Sequence, residues 1–160
     1  MDNNERELLQ GKIKELTQKV NELEELVQNT AVPIIPSIIP DTILIPVSGE
    51  VSINRFGVMI PKILGYANDQ STDSVILDFT AITFKKVKDL ELLGKYIESL
   101  TSSLKLMGIQ VLIVGFTPLF AQELVRSQQP FVKELMAFST FKTALQYLMK
   151  EKGLAFTTIK

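Results

Sequence analysis

Residues 110–125 read QVLIVGFTPLFAQELV, and this stretch decides the fold. Gln110–Val114 is a short apolar run rich in β-branched residues, the pattern of a strand buried on both faces. Gly115 interrupts it. Thr117 then offers an N-cap hydroxyl, and Pro118 suits a first helical position, where its missing N–H is no loss. A buried strand that turns directly into a helix is one step of a mainly parallel sheet covered by helices.

The flanking sequence extends that pattern in both directions. Upstream, Val75–Phe79 (VILDF) is a second buried strand. Between the two, Leu90, Leu93, Ile97, Leu100, Leu104 and Met107 recur at spacings of three and four, and Gly108 stands where a left-handed C-cap belongs. Earlier still, a helix is expected from about Ser52 to Asn68; Pro61 inside it predicts a kink or a late start. Ile43–Val47 reads as a strand after a Pro40-Asp41 turn, and Ile34, Ile35, Ile38 and Ile39 are strand formers. Pro33, Pro36 and Pro46 predict an edge position or bulges for these first strands. Downstream, a weak strand is expected near Leu135–Phe138. A last helix, capped by Ser139 or Thr140, should run to about Lys152. Phe116, Phe120, Phe131, Phe138 and Phe141 are expected in the core.

The first thirty residues obey another period. Leu9, Ile13, Leu16, Val20, Leu23 and Val27 are spaced four, three, four, three, four, which is a heptad seam. Ile13, Val20 and Val27 take the a positions; Leu9, Leu16 and Leu23 take the d positions. β-Branched a residues with leucine at d favour a parallel two-stranded coil. Lys19 at g can reach Glu24 at e of a partner, whereas Lys12 would face Thr17. The other reading is one amphipathic helix packed on its own domain. Pro33, Pro36 and Pro40 end any helix, so the expected organisation is a coiled coil over 1–30, a globular domain over 31–154 and a tail over 155–160.

Composition narrows the function. The chain of 160 residues has a net charge of −1 and is 46% apolar, enough to bury a core. Residues 1–30 carry seven acids and four bases, and the remainder eleven acids and thirteen bases. Neither part has the single strong sign of a nucleic-acid binder. Cysteine and histidine are both absent, which removes disulfides, thiolate metal sites, cysteine nucleophiles and the usual general base at neutral pH. No run of apolar residues is long enough to span a membrane, and the polar, acidic N-terminus is unlike a secretory signal; a cytoplasmic protein is expected.

The order of elements, with AVPIIPSIIPDTILIPVSGEVS (31–52), VILDFTAITF (75–84) and VLIVGFTPLFAQELV (111–125), resembles the STAS domain of anti-sigma-factor antagonists. The closest resemblance is to the RsbR-type co-antagonists of the bacterial stressosome. It implies an α/β STAS fold, no catalysis and no cofactor. It also implies partnership with other STAS proteins (RsbR/RsbS-like) and a switch-protein serine/threonine kinase (RsbT-like) that controls a general-stress sigma factor.

The same resemblance implies two phosphoacceptor positions. The first falls on Lys86, Val87 and Lys88, none of which has a hydroxyl. The second falls on Glu123, where one carboxylate charge stands in place of nearly two on a phosphothreonine. Glu123 is then either a fixed, partly phosphate-like group or an ordinary helix glutamate. Phe84, Lys85, Lys86 and Lys88 form either a docking patch for an acidic partner or a solvated loop. Asp78, Thr80, Thr83 and Asp89 are read as strand-end caps rather than metal ligands. Gly115-Phe116-Thr117-Pro118 lacks the glycines and lysine of a phosphate-binding loop. Three functions follow: a stressosome-type scaffold, a stand-alone antagonist dimer, and a nucleotide-binding domain.

Overall fold

The computed structural model describes residues 2–29, 32–83 and 87–160, with backbone alone at 27–29 and 87. Contacts divide the chain into two compact units, Met1–Ala31 and Val32–Lys160. The first is a single helix, α1 (Asn3–Asn29), about 40 Å long at 1.5 Å per residue.

The second unit opens with β1 (Ile35–Pro36), β2 (Thr42–Pro46) and β3 (Gly49–Glu50). Then come α2 (Ile53–Asp69), β4 (Ser74–Asp78), β5 (Ile82–Thr83), α3 (Val87–Leu106) and β6 (Gln110–Val114). After α4 (Pro118–Arg126), a 3-10 turn (Pro130–Glu134) leads to β7 (Met136–Phe138) and α5 (Phe141–Glu151). The main sheet has the order β1-β2-β4-β6-β7, with β1 antiparallel and the rest parallel; β3 and β5 form a separate two-stranded ribbon.

Strand alternation sends residues to two buried faces. Ile76, Leu112 and Val114 meet Ala144 and Leu148 of α5, with Ile39 closing that side. α3 packs on β6, and α2 packs on α3. Leu93 and Leu104 of α3, Ile63 of α2 and Ile113 of β6 are wholly buried. Each large side chain so placed contributes roughly 1.5–3 kcal/mol relative to exposure.

Three sequence expectations need correction. Pro46 does not mark an edge strand, because β2 lies between β1 and β4. Val47 N donates to Asp78 O at 2.7 Å, so alternation turns the Pro46 nitrogen to the opposite side, where β1 has already ended. Second, α2 does not start late. Ser52 caps it by accepting from Arg55 N, and the helix runs through Pro61. Pro61 and Gly57 are both exposed, so the Gly57 carbonyl left without an N–H partner faces solvent. Third, Thr83, where a loop through Thr83–Val87 is expected to begin, instead closes β5, which pairs with β3.

Candidate partner-docking site

The site lies where β4 and β6 end and α3 and α4 begin. Asp78 closes β4: its Oδ1 accepts from Thr80 N at 2.9 Å and from Thr80 Oγ1 at 2.5 Å. A carboxylate bonded to the backbone two residues on is an Asx turn, which redirects the chain sharply. Phe79 N donates to Val114 O at 2.9 Å, and Gly49 N to Ala81 O at 3.1 Å, so this loop is tied on both sides.

Gly115 is what lets the two loops meet. Its φ is +84°, and a Cβ there would lie 2.5 Å from Thr80 N and also against Thr80 Oγ1. Only glycine tolerates both the conformation and the approach. Thr117 follows as N-cap, its Oγ1 accepting from Phe120 N at 3.2 Å, with Pro118 at the start of α4. Phe79, Phe116 and Phe120 pack in sequence, Phe79 and Phe116 tilted with ring centroids 5.7 Å apart, Phe116 and Phe120 edge to face at 4.9 Å. Phe120 is buried while Phe116 is half-buried, and Phe131, Phe138 and Phe141 are likewise only half-buried.

Phe84, Lys85 and Lys86 lie outside the described residues, and of Val87 only the backbone, as the first residue of α3, is described. Lys88 is exposed in the first turn of α3, where the helix dipole disfavours a cation. Glu123 sits in α4, half-buried, with Oε1 2.9 Å from Nη1 of Arg126 one turn on. It borders a groove between α3 and α4 together with Glu91, Gly94, Lys95, Glu98 and Leu124. Lys88 and Glu123 thus belong to the two helices of one groove. Asp78 and Thr80 are paired with each other, and no cluster able to hold a metal occurs among the described residues.

Beside the β3–β5 ribbon, Arg55 Nη1 donates to Glu50 O at 3.2 Å, and burial lowers the Arg55 pKa. Tyr96 stacks on Phe56 at 4.3 Å, and burial raises the pKa of its phenol. This ribbon was missed in the sequence, because two-residue strands have no period to detect.

On α1, the described seam residues Leu9, Ile13, Leu16, Val20 and Leu23 are all exposed. Val27 continues the helix, with only its backbone described. Lys19 makes an ion pair with Glu15 of its own helix at 3.5 Å. No described helix is long and apolar enough to cross a membrane.

No family model matches the sequence. Two curated relatives are the blue-light photoreceptors of Listeria monocytogenes and Listeria innocua, 28% and 29% identical over 133 residues. The match covers 83% of this chain but 49% of each photoreceptor, so the chain spans about half the length of these relatives. Among solved structures, an RsbS variant of Moorella thermoacetica superposes with a TM-score of 0.64 at 13% identity, covering 77% of this chain and 98% of its own. A stressosome chain superposes with a TM-score of 0.60 at 11% identity over 75% of this chain and 98% of its own. The anti-sigma-factor antagonist SpoIIAA, in its unphosphorylated form, gives 0.53 at 13% identity over 78% and 100%. The fold of the second unit is therefore the STAS fold of anti-sigma-factor antagonists.

Proposed function

We propose that this STAS-fold chain is a non-catalytic, stressosome-type scaffold. In this reading α1 pairs in parallel with α1 of a second copy through Leu9, Ile13, Leu16, Val20, Leu23 and Val27. The STAS unit binds other STAS proteins and a switch-protein serine/threonine kinase, and so controls a general-stress sigma factor. Lys86, Val87, Lys88 and Glu123 are its degenerate switch positions, with Phe84 and Lys85 extending the docking patch.

The observation that carries this reading is Glu123. On the resemblance to RsbR-type proteins its carboxylate takes the phosphoacceptor-equivalent position, and it borders the groove between α3 and α4. A phosphatase cannot remove this charge, and its Oε1 lies 2.9 Å from Nη1 of the exposed Arg126. The likeness to a stressosome chain and to RsbS supports the choice of partners.

The test is kinase capture by the full chain and its Glu123→Gln and Glu123→Thr variants, with light scattering of the chain mixed with partner STAS proteins. The scaffold reading expects a co-assembly far larger than a dimer, and kinase affinity that changes in both variants. Unchanged affinity in both would remove Glu123 from the switch. The likeness to SpoIIAA favours one second reading, a stand-alone antagonist dimer, for which scattering would report a dimer and nothing larger.

A further inference from the structure

The C-terminal segment and a groove on the same unit match in chemistry. α5 closes with a Schellman cap: Gly153 adopts φ +68°, Leu154 N donates to Met149 O at 2.7 Å, and Gly153 N donates to Lys150 O at 3.3 Å. That cap reverses the chain and fixes its exit from the helix. Beyond it runs LAFTTIK (154–160), in which Phe156 is 82% and Ile159 94% exposed. Phe-Thr-Thr-Ile is also rich in residues that favour extended backbone.

The groove, of about 310 Å3, is walled by Thr101, Ser102, Ile109, Phe131, Leu135 and Met136. The Thr101 hydroxyl already donates to Ile97 O at 2.6 Å, so its proton is committed within α3. Lys105 and Glu134 are joined at 2.7 Å on the rim. Gln110, also on the groove, links it to the root of the tail. Its Nε2 donates to Met136 Sδ at 3.6 Å and to Glu151 Oε2, in the last turn of α5, at 3.2 Å.

We propose that the C-terminal segment of one copy docks through Phe156 and Ile159 into this groove on a second copy, and the reverse. Donor and acceptor lie side by side on one molecule, joined through Gln110 and Glu151. A two-fold axis near Gln110 therefore satisfies both exchanges at once, as a self-complementary interface requires. The segment of seven residues reaches about 23 Å when extended, enough to cross such an axis. Within one chain Phe156 and Ile159 are both exposed and neither lines the groove. This inference is independent of the regulatory reading.

The chain has no cysteine, so single thiols can be placed without background. Full-length Thr157→Cys and Ser102→Cys proteins are unfolded together, refolded as a mixture and oxidised. The expected product is a disulfide between two chains, formed about tenfold or more faster than between Thr157→Cys and a Lys142→Cys control, because docking raises effective concentration. Adding Phe156→Asp to the Thr157→Cys chain should abolish that advantage while the chain keeps its cooperative unfolding transition. A rate no higher than the control would overturn the proposal. So would a doubly substituted chain that closes only onto itself, at a rate independent of dilution. Either failure leaves kinase capture, read separately, unaffected.

Discussion

Substituting Gly115 by alanine should damage the STAS unit far more than the same change at Gly153, although both glycines have positive φ, +84° and +68°. At Gly153 nothing lies within 4 Å of an added Cβ. Only the left-handed backbone opposes alanine there, about 1–2 kcal/mol, partly offset by a less flexible unfolded chain. A net loss of about 1 kcal/mol is expected. At Gly115 the same term applies, and the Cβ also meets Thr80 N at 2.5 Å and Thr80 Cα at 2.9 Å. Those are backbone atoms, held by the Asp78 carboxylate and by the neighbouring Phe79–Val114 bond. Moving them adds overpacking of about 1–3 kcal/mol and strains hydrogen bonds worth about 1 kcal/mol each. The total is about 3–5 kcal/mol, or roughly 10–20 °C in melting temperature for a unit of this size. Tyr66, Tyr96 and Tyr147 all lie in Val32–Lys160 and there is no tryptophan, so tyrosine fluorescence during urea unfolding reports this unit alone. Equal losses at the two glycines would refute the claim that the loops after β4 and β6 are built around a crossing only glycine permits.

Lys152→Met should cost about 1–2 kcal/mol, measured by the same titration, because Lys152 Nζ donates to Pro40 O and to Asp73 Oδ1, both at 2.7 Å, and Asp73 is half exposed. Loss of nothing measurable would make that clasp incidental. Lys105, by hydrogen bond and by charge, holds the Glu134 carboxyl below its ordinary range. The folded pKa is depressed, so the bridge is present above the unfolded value and is lost as pH falls through the folded one. A carboxyl NMR titration should give Glu134 a lower midpoint than the same residue in Lys105→Gln; coincident curves would dissociate the pair.

The parallel core was legible because its chemistry is local. Val75–Leu77 and Val111–Val114 have no polar residue to place on a wet face, and Thr117-Pro118 and Gly108 punctuate their helices as capping requires. Thr140, one of two expected caps, proves to be the one that closes a capping box with Thr143. The β3–β5 ribbon was not legible, because Gly49 pairs through its backbone and carries no side-chain pattern. Nor was the Gly115–Thr80 approach, since it joins residues 35 positions apart. At the site, Thr117-Pro118 announced the start of the helix that carries Glu123, but the pairing of Glu123 with Arg126 depends on rotamers, which spacing does not determine. The heptad is plain in the chain, and its described residues Leu9, Ile13, Leu16, Val20 and Leu23 are exposed on α1.

The first edge of the main sheet is only two residues long, and one of them is proline. A sheet ending so abruptly offers little template for a neighbouring strand to zip onto. If many such units are crowded together, as paired stalks and exchanged tails would crowd them, that blunt margin lets them stand shoulder to shoulder without fusing into a continuous fibre.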